Sequence, residues 1–265
     1  GTALNIIHKF SFSSDSNATD VGDLSSITSY VSGQSSSENG YASGGQRGPY
    51  VNSISKFSFA TNGDASNIGN LSGGLSRHSG QSSSENGYAS GGNNMPGITS
   101  TIQKFPFSSD TGSTNVANLN TAISNPAGQS SSNHGYSSWG DTNGPRQTAI
   151  EKFAFASDGN AVDVGDLTRE NTNAGAQSST VSGYTSGGQW PVVNNIDKFP
   201  FASDSNATDV GDLAVAATDQ AGQSSSTSGY NAAGYDTSNT STIEKFPFSS
   251  DANATDVGDL TIARY

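Results

Sequence analysis

The groups in this 265-residue chain best suited to chemistry are the oxygens of a recurring acidic turn. In Ser249-Ser250-Asp251-Ala252-Asn253-Ala254-Thr255-Asp256, the side chains of Asp251, Asn253 and Asp256 could converge on a hard cation such as Ca²⁺, which takes about six to eight oxygen ligands. The related turns Asn62-Gly63-Asp64 and Thr111-Gly112-Ser113 lack most of that acidity, and no bidentate Glu follows at loop distance. Asp side chains that cap their own turn explain the pattern without a ligand. The expectation is therefore a structural turn, with no metal or other cofactor assigned and Ca²⁺ kept as a weak alternative.

Nucleophilic and acid–base chemistry is poorly supported. His8, His78 and His134 fall at unrelated repeat positions, and Ser and Asp lie near every His by composition alone. There is no Cys for a thiolate nucleophile, disulfide or soft metal site. Arg47, Arg77, Arg146, Arg169 and Arg264 are scattered in variable segments. A non-enzymatic chain is expected.

The formal net charge is −12, which leaves no cationic footprint for phosphates and argues against nucleic-acid binding. No apolar run approaches the ~20 residues of a membrane-spanning helix, so no membrane insertion is expected. The chain begins Gly1-Thr2-Ala3 without an initiator Met or a signal-like stretch, and is expected to be part of a longer protein. Residues 1–265 are expected to form one domain.

These residues must be positioned by a repeat. Lys-Phe-x-Phe recurs at Phe10, Phe57, Phe105, Phe153, Phe199 and Phe246, with spacings of 47, 48, 48, 46 and 47, a propeller-like period. All 12 Phe lie in this motif, which makes them parts of a module. Gly-Gln-Ser-Ser followed by Gly-Tyr recurs at Gln34, Gln81, Gln129 and Gln223, with Ala-Gln-Ser-Ser at Gln177. Each period divides into four short segments punctuated by Gly, Asn, Asp and Ser, without a helical pattern. Four strands per period make a blade. In the third strand both Phe share one side, and the Lys lies on the other with its ammonium expected to reach a carboxylate or carbonyl.

The order "AGQSSSTSGYNAAGYDTSNTSTIEKFPFSSDANATDVGDLTIAR" resembles the kelch repeat, with its small-residue first strand, the Gly pairs Gly44-Gly45, Gly91-Gly92 and Gly187-Gly188, and a polar turn into the fourth strand. It departs where kelch repeats carry Trp, having Asp20-Val21 or equivalents there. Residues 108–114 resemble the Asp box of sialidase-type propellers, a folding device remote from that family's active site. That second resemblance keeps a sialidase-like glycoside hydrolase, clamping a carboxylate with three Arg, as an alternative. Gly/Ser-rich repeats of this wording also resemble predicted proteins of marine bacteriophages. This implies a tail-fibre or other virion-surface role, with an extracellular or virion-surface location.

An all-β propeller of six kelch-like blades is expected. The alternative is five complete blades plus a surplus N-terminal hairpin, because there are six third-plus-fourth hairpins but five first-plus-second ones. Up-and-down strands put the near-constant turns on one face and the divergent loops on the other, the arrangement of a recognition surface. The loop-face candidates for ligand binding are Arg47, Tyr50, His78, Trp139, Arg146, Trp190 and Tyr235, where aromatic rings could stack on sugar faces or anchor a protein. The expected function is adhesion to a cell-surface glycan or protein receptor, against the alternative of a purely structural fibre or virion component. Homo-oligomers or a larger virion or fibre assembly are the expected partners.

Overall fold

A computed structural model describes residues 3–145 and 147–264, and these form an all-β propeller. The first hairpin pairs β1 (Leu4–Lys9) with β2 (Thr19–Thr28). A complete blade follows, with β3 (Ser32–Ser35), β4 (Asn39–Ser43), β5 (Ser53–Ser58) and β6 (Ser66–Asn70) hydrogen-bonded in sequence order from the axis outward. Four further blades with the same up-and-down order occupy residues 79–118, 127–166, 175–212 and 221–264. The described residues thus give five four-stranded blades plus an extra hairpin, consistent with a kelch-like repeat fold.

The six-blade expectation is corrected accordingly. Residues 4–28 form only a third and a fourth strand, and the five Gly-Gln-Ser-Ser or Ala-Gln-Ser-Ser segments among the described residues all belong to the five complete blades. The hairpin nevertheless stands in line with the blades. Its Ala18 N–H donates to the carbonyl of Asp259 in the last blade, and its Asp23 carbonyl accepts from Ala65 in the first. The same bond joins neighbouring blades at Ala161 to Asn118, Ala207 to Asp166 and Ala254 to Asp212.

Two kinds of interblade contact hold the ring. The outer one is aromatic. Tyr41 stacks on Phe107 of the following blade at 4.6 Å between ring centroids, and the pairs Tyr88–Phe155, Tyr136–Phe201, Tyr184–Phe248 and Tyr230–Phe12 repeat this at 4.8–4.9 Å. Each such pair contributes about 0.5–1.5 kcal/mol beyond its area burial. The Gly before each Tyr has a steric reason: a Cβ on Gly135 would lie 2.3 Å from the ring of Phe153 on the neighbouring strand.

The inner contact is polar, which explains how a chain with only 31% hydrophobic residues fills its interior. Gln34, Gln81, Gln129 and Gln177 each donate from Nε2 to the Tyr carbonyl of the next blade at 2.9–3.0 Å. Their Oε1 atoms accept from Ser43, Ser90, Ser138 and Ser186. Buried amides and hydroxyls satisfied in this way avoid the penalty of an unpaired polar group.

Candidate functional site

The face bearing the near-constant turns is committed to structure. The Lys of the third strand in each complete blade crosses to an Asp in the next turn around the ring: Lys56–Asp110, Lys104–Asp158, Lys152–Asp204, Lys198–Asp251 and Lys245–Asp15. This bears out the expected partner for the Lys head. The weak metal candidates have the same kind of duty. Asp251 holds Lys198 at 2.9 Å, Asn253 Oδ1 accepts from the Asp212 N–H, and Asp256 Oδ1 accepts from the Gly258 N–H two residues on. Among the described residues no group of three or more His, Cys, Asp or Glu is placed to hold a metal.

On the opposite face, the connections between blades meet around the axis. Tyr30, Arg77, Asn125, Asn173 and Asp219 occupy one repeat position and share one left-handed backbone conformation, with φ from 54° to 58°. Asn and Asp adopt that conformation readily, while Tyr and Arg do so at a steric penalty. A spiral of main-chain bonds fixes them: Arg77 N–H to Tyr30 O, Asn125 to Arg77, Asn173 to Asn125, and Asp219 to Asn173. All five line a cavity of about 530 Å³ at the mouth of the axis, together with Arg264.

The side chains in this circle are chemically diverse. The Arg77 guanidinium lies 3.9 Å over the Tyr30 ring, and the Asn173 amide donates to Asp219 Oδ1 at 2.7 Å. Burial raises the Asp219 carboxyl above the usual carboxylate range, opposed by the Thr218 hydroxyl and the Arg77 charge. Cations, amide donors and a carboxylate acceptor thus surround a partly exposed aromatic ring. Such a set can bind hydroxyl-rich or polar planar groups.

A second concavity, of about 400 Å³, lies on the same face where the first two blades meet, lined by Pro49, Tyr50, Asn94, Met95, Gln103 and Asn115 among others. Met95 is 84% exposed.

The sequence candidates divide between these settings. Tyr50 lines the second concavity, and Arg47 is exposed in the loop three residues before it. Trp190 and Tyr235 are exposed on loops of the same face, at 54% and 40%. Trp139 belongs to the hydrophobic core and is only 3% exposed, so its ring is unavailable for stacking on a ligand. His78 is fully enclosed between two blades, with Nε2 3.0 Å from Ser43 Oγ, and desolvation pushes its pKa down to about 3. It also lines the axial cavity, and its buried Nδ1 has no hydrogen-bond partner among the described residues. Arg146 lies outside the described residues.

Five residues of the mouth were not selected from sequence, Arg77 having been read only as one of five scattered Arg. The usable signal was positional, since the five recur at spacings of 47, 48, 48 and 46, and three are Asn or Asp, as a left-handed turn prefers.

Two buried glutamates share one repeat position. Glu151 and Glu244 accept backbone N–H groups from Asn120 and Val215 of the preceding blades. Burial raises both pKa values, with those backbone bonds opposing. In the second complete blade Gln103 fills the same position, its Oε1 accepting from the Ser72 N–H at 2.8 Å, which marks the position as structural. Compared with known proteins, the sequence matches no family model and no curated protein.

Proposed function

We propose that this chain is a non-enzymatic recognition module that binds a glycan at the axial mouth of its loop face, in the manner of an adhesin on a virion or surface appendage. The observation that carries this reading is the circle of Tyr30, Arg77, Asn125, Asn173 and Asp219, where one backbone geometry presents five side chains with four chemistries. Constant scaffold with varied presentation is how loop faces of repeat proteins recognise ligands. Aromatic rings stack on sugar faces, while Asn, Asp and Arg pair with hydroxyls in fixed directions. The non-enzymatic part rests on Glu151 and Glu244, each held in a backbone-capping role.

A glycan array probed with the chain tests this. Binding to a defined glycan should weaken by about tenfold or more in Arg77→Ala and in Asp219→Asn, as expected when a central polar contact is removed. Release of a cleaved sugar on incubation would overturn the non-enzymatic reading. A second reading, a polypeptide partner, is favoured by the exposed Met95 beside Tyr50 and Pro49, since such side chains anchor protein interfaces. It predicts that Met95→Ser, and not Arg77→Ala, abolishes attachment.

A further inference from the structure

We propose that the concavity where the first two complete blades meet is a second ligand site, one that takes the acetamido group of an N-acetylated sugar. It shares no lining residue with the axial mouth and does not depend on a ligand there.

The space exists because one junction departs from the repeat. After the fourth strands of three later blades the chain reads Leu119-Asn120-Thr121-Ala122, Leu167-Thr168-Arg169-Glu170 and Leu213-Ala214-Val215-Ala216, whereas after β6 it reads Leu71-Ser72-Gly73-Gly74. A Cβ on Gly73 would meet nothing within 4 Å, so the missing side chain leaves open space. A Cβ on Gly74 would lie 2.7 Å from the Tyr50 carbonyl oxygen, so this Gly lets the Tyr50 loop close one side. Asn94, Met95 and Thr99 of the second blade line the cavity too, and its volume of about 400 Å³ suits a small ligand.

Gln103 supplies the polar anchor. Its repeat position needs only an acceptor, which Glu151 and Glu244 provide in later blades. Gln103 Oε1 has the same duty, accepting from the Ser72 N–H at 2.8 Å and from the Ser113 hydroxyl at 2.7 Å. The backbone N–H fixes which amide atom is the oxygen, so Nε2 is left over, with no hydrogen-bond partner among the described residues. Gln103 is only 4% exposed, and an amide donor at that depth calls for an acceptor from outside the chain. Asn115, opposite Gln103 in the strand pairing, adds a second donor, because its Oδ1 is taken by the Ser72 hydroxyl at 2.7 Å.

These groups select the ligand. No charged residue lines the cavity among the described residues, which favours a neutral occupant. Two amide donors ask for a carbonyl oxygen. Leu75 and the bare backbone of Gly73 leave room beside it for a methyl group, and Tyr50 and Met95 offer aromatic and thioether surface to the apolar face of a ring. An acetamido sugar combines all three features. A peptide carries an N–H for nearly every carbonyl and would set donors against these donors.

Titration of the isotope-labelled chain with the methyl glycosides of N-acetylglucosamine and N-acetylgalactosamine, followed through side-chain amide signals, tests the site. Expected are saturable shifts of the Gln103 Nε2 amide pair, assigned by its loss in Gln103→Glu. The same sugars without the acetyl group should bind at least about tenfold more weakly. Gln103→Glu keeps the acceptor for Ser72, as Glu151 and Glu244 do for their partners, and Gly73→Val copies Val215 of a later repeat. Both variants should melt as the parent does and bind at least about tenfold more weakly. Unmoved Gln103 signals at millimolar sugar, or full binding by either variant, would overturn the proposal. Equal binding of the unacetylated sugars would do so as well, and equal binding of an N-acetylated peptide amide would overturn it in favour of a polypeptide partner. Shifts confined to Arg77 and Asp219 would overturn this site and leave the axial mouth as the glycan site.

Discussion

Lys245 Nζ lies 2.8 Å from Asp15 Oδ1, joining residues 230 positions apart and tying the last blade to the N-terminal hairpin. On the hairpin's other side Lys9 reaches Asn62 Oδ1 at 3.5 Å, with Asn where the other turns carry Asp. The outer layer is thereby continuous around the axis, although the inner layer is not. The hairpin can close this outer layer because the Lys–Asp pairs and the Ala-to-carbonyl bonds between blades belong to the third and fourth strands and the turn between them.

The ion pair and the ring packing at this junction should differ in weight. Asp15→Ala should lower stability by less than about 1 kcal/mol, because the Asp side chain is 58% exposed and solvent screens the pair. Phe10→Ala should lower it by about 2–3 kcal/mol, since the ring sits 5.4 Å from Tyr230 and packs on the Tyr230–Leu260 cluster. Urea unfolding of the two variants compares them.

His78 should make the fold acid-sensitive. Its folded pKa of about 3 is below the ordinary 6.5, so the unfolded chain binds the proton more tightly. The stability this group contributes is present above pH 6.5 and is lost as pH falls toward 3, at about 1.4 kcal/mol per pH unit. In His78→Gln, stability between pH 6 and about 4 should fall less steeply, as read by thermal melts across that range. An equally steep fall would remove His78 as the cause.

Glu151 and Glu244 act in the opposite direction. Their folded pKa values are raised, so the folded chain holds the proton more tightly, and the resulting stability is present below the unfolded value of 4.5 and lost as pH rises through the folded value. Glu151→Gln with Glu244→Gln should remove that loss while keeping an acceptor for the backbone N–H groups, as Gln103 does. Glu151→Leu should instead destabilise by about 1–3 kcal/mol at every pH, because the Asn120 N–H is left unpaired.

Glycines at different strand positions should respond differently to one methyl group. Gly135→Ala forces the Phe153 ring aside and should be destabilising by about 1–3 kcal/mol. Gly33→Ala, with open space around its Cβ, should stay within about 0.5 kcal/mol of the parent. Denaturation midpoints of the two single variants decide this.

By itself the sequence determined the repeat, the strand count per blade and the use of its motifs. A period of about 47 residues, two Phe on one face of a strand and a Lys on the other are local patterns, and local patterns survive in one dimension. The roles of the turn and of the Lys head were legible for the same reason, since the Lys recurs in every copy and the turn keeps its place after the Phe pair while its acidity varies. Tertiary structure alone decided how the copies meet. Whether residues 4–28 form a blade or half of one depends on which strands lie beside them, and that is set by contacts between residues such as Lys245 and Asp15. It also separated Trp139 from Trp190, two rings of one type in comparable loops, one in the core and one in solvent. The circle of Tyr30, Arg77, Asn125, Asn173 and Asp219 is the clearest case, because residues about 47 apart in sequence become neighbours only when blades wrap around an axis.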